Sequence, residues 1–246
     1  MTENQHFNFS NKVVLAPLFA VLIIWFIFWF ELKFRVNLNH FGVYPRTILG
    51  LRGILFSPFI HGSIEHLYHN TIPLAVLLSA LFYFYRQIAL QVVLYGILLS
   101  GIFTWLVGVS SYHIGASGLI YVLVSFIFFK GIRTRYYRLI ALSLVMVFIY
   151  GSLLWYIFPV KEGISWEGHL GGFLAGLLLA FLIKTPLLKP VKYEWERESY
   201  DEKQDPFLKH FDEDGNFIEN LPESESKQTE DAVVNYVYKP RKEDID

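Results

Sequence analysis

Long apolar runs, each nearly free of charge, dominate residues 13–183. Six of them are candidate membrane spans: residues 13–30, 71–85 (beginning a turn earlier, near His66), 87–112, 115–129, 139–160 and 170–183. Because these runs are apolar on all sides, a single protein core cannot bury them, and lipid is the solvent that suits them. A bilayer core about 30 Å thick takes roughly 20 apolar residues per helical span. The pattern therefore predicts an all-α membrane protein with a bundle of six transmembrane helices.

Composition agrees with this pattern and shows where the charge lies. Hydrophobic residues make up 54% of the chain and charged residues 17%, whereas a soluble domain carries about a quarter charged residues. Residues 190–246 hold 17 of the 22 acidic residues and have a net charge of −9, while residues 1–189 carry +8. We therefore divide the chain into an N-terminus (1–12), a six-span membrane domain (13–185) and a soluble acidic tail (186–246).

The two ends of the chain differ in character. The first span is too long for a signal-peptide core and lacks a small-residue cleavage site, so we expect it to be retained. The tail is acidic with interspersed Pro and Ser, which is typical of a solvated, flexible segment. Small ordered elements are expected within it at Phe207, Phe211, Phe217 and residues 233–238.

Lysine and arginine in the short loops predict the orientation. A basic cluster follows span four, at Lys130, Arg133, Arg135 and Arg138, and the loop after span three has no charge. The first loop also carries cations, at Lys33, Arg35, Arg46 and Arg52, which partly offsets this bias. The balance favours both termini in the cytoplasm. Since no organelle presequence is visible, a bacterial cytoplasmic membrane is the expected location.

Ionisable and hydroxyl side chains are concentrated in three clusters, in residues 61–70, 110–118 and 166–172. Each cluster lies at the start of an even-numbered span. With both termini on one side of the membrane, the even-numbered spans all begin at the opposite side. The three clusters are therefore predicted to meet at one membrane depth. Polar groups inside a bilayer are costly and suggest function, so this depth is the predicted site.

The length of span four predicts how deep Ser117 lies. Between Ser117 and Lys130 are twelve residues, or roughly 18–20 Å of helix at 1.5 Å per residue. With Lys130 at the inner interface, Ser117 lies below the outer one, and residues 107–114 dip into the membrane as non-helical chain. Such backbone is tolerated only where protein or a water-filled cavity satisfies it. His113, in this segment, is expected to be a loop residue near the site.

The residue types in the clusters fit hydrolysis of an amide bond. A serine becomes a nucleophile when a base takes its proton, and histidine is the usual base. Ser117 near a helix N-terminus offers its own N–H to a developing oxyanion. His66 and Asn70, four residues apart on one helix face, add side-chain donors. Glycines at 115 and 118 permit a tight turn and close backbone approach.

These motifs resemble those of the rhomboid family of intramembrane serine proteases. Residues 115–118, Gly-Ala-Ser-Gly, are similar to the family's Gly-x-Ser-Gly motif around the nucleophile. The segment His169-Leu-Gly-Gly172-Phe-Leu-Ala-Gly176 is similar to the last-helix motif that carries the base, and its small-residue spacing allows close packing on span four. His66-Leu-Tyr-His-Asn70 is similar to the family's His-x-x-x-Asn pair.

The resemblance covers about residues 10–185 and implies a mechanism. Ser117 would attack the scissile carbonyl, and His169 would act as general base and then as acid, without a third acidic member. The family cleaves single-span substrates near the membrane surface, which would enter between spans two and five beneath a cap formed by residues 158–167. The implied partners are transmembrane substrates and membrane lipids. The resemblance implies no nucleic-acid partner and no metal or organic cofactor.

The resemblance also assigns supporting roles. His61 falls where the family often has a histidine that helps to hold the first loop. Tyr121, one turn after Ser117, matches a tyrosine that packs against the catalytic histidine, and His66 with Asn70 would assist the oxyanion. The Trp-Arg pair common in the family's first loop is absent here, and residues 51–53, Leu-Arg-Gly, stand nearby.

Other interpretations fit parts of the pattern. Residues 115–118 alone match the small-residue packing common in membrane helices. His61, His66 and His69 suggest a metal site, but the zinc motif His-Glu-x-x-His is absent because Glu65 precedes the second histidine. A six-span transporter would need matching broken helices in two halves, and the sequence has no such symmetry. A rhomboid-like pseudoprotease, which binds membrane clients without cleaving them, is the main alternative.

Overall fold

The computed structural model describes residues 10–135, 137–149, 155–160, 163–184, 193, 195, 197–212 and 214–219. Within these residues it has seven α-helices and no β-strand, which confirms the all-α prediction. The helices are α1 (Lys12–Phe34), α2 (Gly53–Phe56), α3 (Ile64–Phe84), α4 (Ala89–Val107), α5 (Ser117–Thr134), α6 (Tyr137–Ile149) and α7 (Trp166–Leu182). The chain divides into two compact units, Met1–Leu188 and Lys189–Asp246.

Six of these helices correspond to the six predicted spans. Helices α1, α3, α4 and α5 are long and apolar enough to cross a membrane, and α6 and α7 are shorter apolar helices of 13 and 17 residues. Helix α1 buries only four side chains and exposes large apolar ones such as Phe19, Phe26 and Leu32. Such a surface requires an apolar solvent, and the helices therefore form a membrane-embedded bundle.

Several predicted boundaries differ from the structure; α1 and α5, for example, end at Phe34 and Thr134, beyond the predicted residues 30 and 129. Three further differences are larger or have a local cause. Helix α4 ends at Val107, before the predicted residue 112, because the chain turns extended at Gly108. Helix α7 begins at Trp166, earlier than the predicted residue 170, because the Ser165 hydroxyl accepts from an N–H of its first turn. The predicted fifth span, 139–160, is longer than α6, the helix described there, because residues 155–157 form a separate 3-10 turn.

Helix α5 lies at the centre of the bundle and packs against α3, α4, α6 and α7. Its most extensive contact is with α7, where two glycines bring the backbones together. A Cβ atom on Gly172 would overlap the carbonyl oxygen of Gly118. One on Gly176 would overlap the Val122 carbonyl and lie 2.5 Å from Ser125 Oγ. Any larger side chain at these positions would therefore push the two helices apart.

A buried lysine holds the other end of the same helix pair. Lys130, on α5, is 3% exposed, and its ammonium donates to the carbonyls of Ala180 and Ile183 at the end of α7. The last carbonyls of a helix have no partner within the helix, and a cation there also complements the helix dipole. Lys130 is thus a cap on α7 as well as part of the basic cluster.

The first loop contains short helical turns that the sequence pattern did not predict: Leu49–Arg52, Gly53–Phe56 (α2) and Ser57–Phe59. Side chains fix this loop to α4 and to itself. Arg46 donates to the carbonyls of Leu106 and Gly108 at the end of α4. Arg52 donates to the His40 carbonyl, and its guanidinium lies 4.5 Å from the centre of the Phe41 ring. This loop is ordered without the family's Trp-Arg pair.

The second unit contains small ordered elements. Two 3-10 turns, Glu202–Gln204 and Leu208–His210, precede a β-bridge between Phe211 and Phe217. The Asp205 carboxylate accepts from the Tyr200 hydroxyl at 2.7 Å, which raises the pKa of Tyr200 to about 12. The element expected at residues 233–238 lies outside the described residues.

The contact between α5 and α7 predicts the effect of adding one methyl group. Replacement of Gly176 by Ala should lower the free energy of unfolding by about 1–3 kcal/mol, because the new Cβ overlaps the backbone of α5. Thermal unfolding in detergent micelles measures this. Gly62→Ala is the matched control, since its Cβ would meet only Ile114 Cδ1 at 3.5 Å. Equal stability of the two variants would contradict the proposed tight contact.

Candidate active site

The starts of α3, α5 and α7 surround a cavity of about 1,010 Å³. All three polar clusters of the sequence contribute to its wall, as the chain direction of the helices requires. Of the residues expected at the site, the cavity is lined by His66, Asn70, Ser117, Tyr121 and His169. The remaining five do not line it: His61, Gly115, Gly118, Gly172 and Gly176.

Ser117 is the first residue of α5 and is half-buried. The segment before it, residues 108–116, is non-helical, as the sequence predicted for most of it. Gly115 has φ +108°, a conformation that side chains with a Cβ rarely adopt. Its N–H donates to the Ser57 carbonyl at 2.9 Å. This turn presents the Ser117 hydroxyl at a helix N-terminus, where the backbone N–H groups favour negative charge.

His66 and Asn70 lie on one face of α3, directly against this turn. A Cβ atom at Gly115 would lie 2.6 Å from His66 Nε2 and 3.5 Å from Asn70 Nδ2. Asn70 is 5% exposed, and its Nδ2 has no hydrogen-bond partner among the described residues. A buried donor without a partner costs about 1–3 kcal/mol. It is therefore available to an oxygen atom that enters the cavity.

His169 is held by one hydrogen bond and one ring contact. Its Nδ1 lies 2.9 Å from the carbonyl oxygen of Tyr156. Because a carbonyl only accepts, Nδ1 carries the proton in this bond and Nε2 is left as an acceptor. The Tyr121 ring stacks on the imidazole, with centroids 4.4 Å apart and planes at 17°. His169 is 7% exposed, so the ring has little freedom to turn.

His61 supports the Ser117 turn from behind. It is 2% exposed, and its Nε2 accepts from the Ala116 N–H at 3.5 Å. Burial, with a smaller contribution from nearby His66, lowers the pKa of His61 to about 4. The ring is therefore neutral at pH 7 and remains an acceptor. Its contact is with the segment before α5, in addition to any role in the first loop.

Two groups at the site were not predicted from the sequence. The Tyr156 carbonyl is a backbone group, and no residue type at position 156 would have revealed it. Ser165 carried a readable signal, because a serine immediately before an apolar helical run is a typical helix cap. Its hydroxyl accepts from the Gly168 N–H at 3.3 Å and so fixes where α7 begins, three residues before His169.

The structure also bears on the metal interpretation. Among the described residues, no group of three or more His, Asp or Glu side chains is arranged to hold a metal ion. Glu65 and His69 approach each other at 3.9 Å, but both side chains are largely exposed. An exposed pair of this kind contributes little to binding or stability.

Comparison with known protein families agrees with this geometry. The Rhomboid domain matches residues 50–186, which is more than half of the chain and includes all three clusters. The chain belongs to the rhomboid family. This rhomboid is thus an integral membrane protein of a family that consists mostly of serine intramembrane proteases and includes inactive members.

Relatives with sequence similarity are found in mycobacteria. Uncharacterized proteins of Mycobacterium tuberculosis and Mycobacterium bovis are 38% identical to this rhomboid over 163 residues, and one of Mycobacterium leprae is 37% identical. The matched region covers 62% of this chain. It spans 66% of the first two relatives and 64% of the third, which is just under two thirds of their length.

The stacking of Tyr121 on His169 predicts that the ring of Tyr121 matters for stability and its hydroxyl does not. The buried hydroxyl has no partner among the described residues, so Tyr121→Phe should leave the unfolding temperature unchanged or slightly higher. Tyr121→Ala should lower the free energy of unfolding by about 3–5 kcal/mol through lost packing. Thermal unfolding of the two variants tests this, and a Phe variant as unstable as the Ala variant would refute it.

Proposed function

We propose that this rhomboid is a serine-type intramembrane endopeptidase that hydrolyses peptide bonds of transmembrane protein substrates. Ser117 is the nucleophile and His169 the general base. The observation that carries the proposal is the environment of His169, whose Nδ1 donates to the Tyr156 carbonyl and whose Nε2 is free to accept beside the Ser117 cavity. This is the tautomer that a general base for serine requires.

The proposed reaction follows from these groups. His169 Nε2 takes the hydroxyl proton of Ser117 as the serine oxygen attacks the scissile carbonyl. The tetrahedral oxyanion accepts from the Ser117 N–H, the Asn70 amide and the His66 ring. His169 then donates its proton to the leaving amine, and an acyl-enzyme remains on Ser117. A water molecule, activated by His169 in the same way, releases the second product.

The cavity has room and polar groups for the water that this hydrolysis needs. Its wall includes hydroxyl and carboxylate groups, at Ser63, Glu65, Ser111, Tyr112, Ser165 and Glu167. Residues 158–167, of which 158–160 and 163–167 are described, contribute Pro159 and Gly163 to the cavity wall. We propose that this segment caps the site and that a substrate helix enters between α3 and α6.

We also propose an orientation and a membrane location for this rhomboid. The basic cluster at the end of α5 and the start of α6 supports an orientation with both termini in the cytoplasm. A bacterial cytoplasmic membrane fits this orientation. Residues 13–185 would form the membrane domain, and residues 186–246 a cytoplasmic acidic tail. Membrane lipids surround the exposed apolar faces of the helices, and transmembrane proteins are the substrate class.

The alternative function is that of a rhomboid-like pseudoprotease that binds membrane clients without cleaving them. Inactive members of the family give this alternative its basis. Against it stand Ser117 and His169 on one cavity, with the base oriented by Tyr121 and Tyr156. A binding protein has no need of a histidine held in the tautomer that accepts from serine.

Substitution of the dyad distinguishes the two functions. Wild-type protein in proteoliposomes should cleave a single-span model substrate, while Ser117→Ala and His169→Ala should each lose at least about 10³-fold in kcat. A fluorophosphonate probe should label the wild type and fail to label Ser117→Ala. Ser110→Ala, an exposed serine of the same loop, is the matched control. A wild type that neither cleaves nor reacts with the probe would support the pseudoprotease.

The unpartnered amide of Asn70 predicts a second effect. Asn70→Ala should reduce kcat by about 10²–10³-fold with little change in KM, because the lost donor acts on the oxyanion in the transition state. His69→Ala is the control, because His69 is adjacent to Asn70 in α3 and also lines the cavity. This variant should retain wild-type kcat. Cleavage rates over a range of substrate concentrations measure both. Equal loss in the two variants would argue against an oxyanion role for Asn70.

A further inference from the structure

A closed ring of hydrogen bonds joins the loop before α5 to the first turn of α7. His113 Nδ1 lies 2.6 Å from Ser165 Oγ, and His113 Nε2 lies 3.0 Å from the Val109 carbonyl oxygen. The Val109 N–H donates to Glu167 Oε1 at 3.0 Å. Ser165 Oγ also accepts from the Gly168 N–H at 3.3 Å. The backbone of residues 165–167, from the cap of α7 into its first turn, closes the ring.

The chemistry of the partners fixes the proton positions in this ring. The Val109 carbonyl can only accept, so His113 Nε2 carries a proton and His113 Nδ1 is an acceptor. Ser165 then donates its hydroxyl proton to Nδ1 and accepts from Gly168 with a lone pair. Both nitrogens of His113 and the hydroxyl of Ser165 are thus used in one consistent arrangement. The tautomer of His113 is the opposite of that of His169.

Two side chains of the ring are buried, and the ring is anchored on its outer side. His113 is 5% exposed and Glu167 is 1% exposed. The backbone of His113 forms two hydrogen bonds with Val43 of the first loop, at 2.9 and 3.0 Å. A Cβ atom at Gly108 would lie 2.8 Å from His113 Nε2, so the imidazole fits closely over a glycine. Hydrogen bonds in such surroundings restrain the groups that they join.

The ring touches both segments that carry the proposed dyad. His113 is four residues before Ser117, and Glu167 is two residues before His169. No atom of the ring belongs to the dyad or is assigned to substrate. We propose that His113, Ser165 and Glu167 are positioning residues, which fix the start of α7 relative to residues 108–116 and thereby the separation of Ser117 from His169. This inference rests on the proposed function.

Small displacements at a reacting pair have large kinetic effects. A misplacement of about 1 Å can cost about 10²-fold in rate. Among the described residues, no carboxylate forms a hydrogen bond with His169. The separation of Ser117 from His169 must therefore be held by neighbouring groups. Glu167 adds a second effect, because its negative charge lies in the first turn of α7, where the helix dipole favours it.

The test combines kinetics with amide hydrogen exchange on the full chain in proteoliposomes. His113→Ala should lower kcat by about 10²-fold with KM nearly unchanged, and should speed exchange at residues 163–170 but not in α3. His113→Asn retains a group near Nδ1 and His113→Gln one near Nε2, so each should recover part of the loss.

Glu167→Gln should retain most of kcat, since its amide oxygen still accepts from Val109, whereas Glu167→Ala should not. Ser110→Ala is the control.

The outcomes separate this inference from the proposed function. Unchanged exchange at residues 163–170 in His113→Ala would overturn the inference, whatever the cleavage rates. Faster exchange with an unchanged kcat would also overturn it, because the ring would then be structural only. If the wild type does not cleave, the proposed function fails, and exchange in the same variants still decides whether the ring holds the start of α7. The Asn and Gln variants keep the test valid if His113→Ala does not fold.

Discussion

Direct contact between the backbones of α5 and α7 is the constraint on which the site depends. Gly172 lies against the carbonyl of Gly118, so the two helices meet at a point one residue after Ser117 and one turn after His169. Because this contact lies next to both residues, it fixes the position of the proposed nucleophile relative to the proposed base. Lys130 closes the opposite end of the pair by capping α7. A helix pair fixed at both ends cannot slide, and the cavity between the helix starts keeps its shape.

The second constraint is that non-helical backbone at membrane depth needs hydrogen-bond partners in the protein or in a water-filled cavity. Residues 108–116 find these partners in the first loop. Val43 pairs with His113, the Ser57 carbonyl accepts from Gly115, and Arg46 donates to the Gly108 carbonyl. The first loop therefore supplies hydrogen-bond partners for the backbone of the turn that carries Ser117. These contacts account for the short helical turns and close-packed glycines of the first loop. A hydropathy profile shows this segment only as a connection between two spans.

Much of this arrangement could be predicted from the sequence because membrane helices are marked by long apolar runs. The positions of six helices, and the meeting of three polar clusters at their starts, followed from that signal and from chain direction. Helix ends were less predictable. Ser165 begins α7 early and Gly108 ends α4 early, and both act through local backbone geometry that hydropathy does not record. The Tyr156 carbonyl could not be predicted at all, since any residue type presents the same atom.

The contact of His169 with a backbone carbonyl explains why its surroundings must be rigid. In a serine protease triad, a carboxylate both orients the imidazole and stabilises its positive charge. A carbonyl can orient the ring but carries no full charge, so it stabilises the imidazolium less. Tyr121 adds orientation through stacking and supplies no charge. Glu167, a buried carboxylate in the first turn of α7, accepts from the Val109 N–H. In the role that we propose, it acts on His169 only through the backbone. The proposed dyad therefore depends on accurate placement more than on electrostatic assistance.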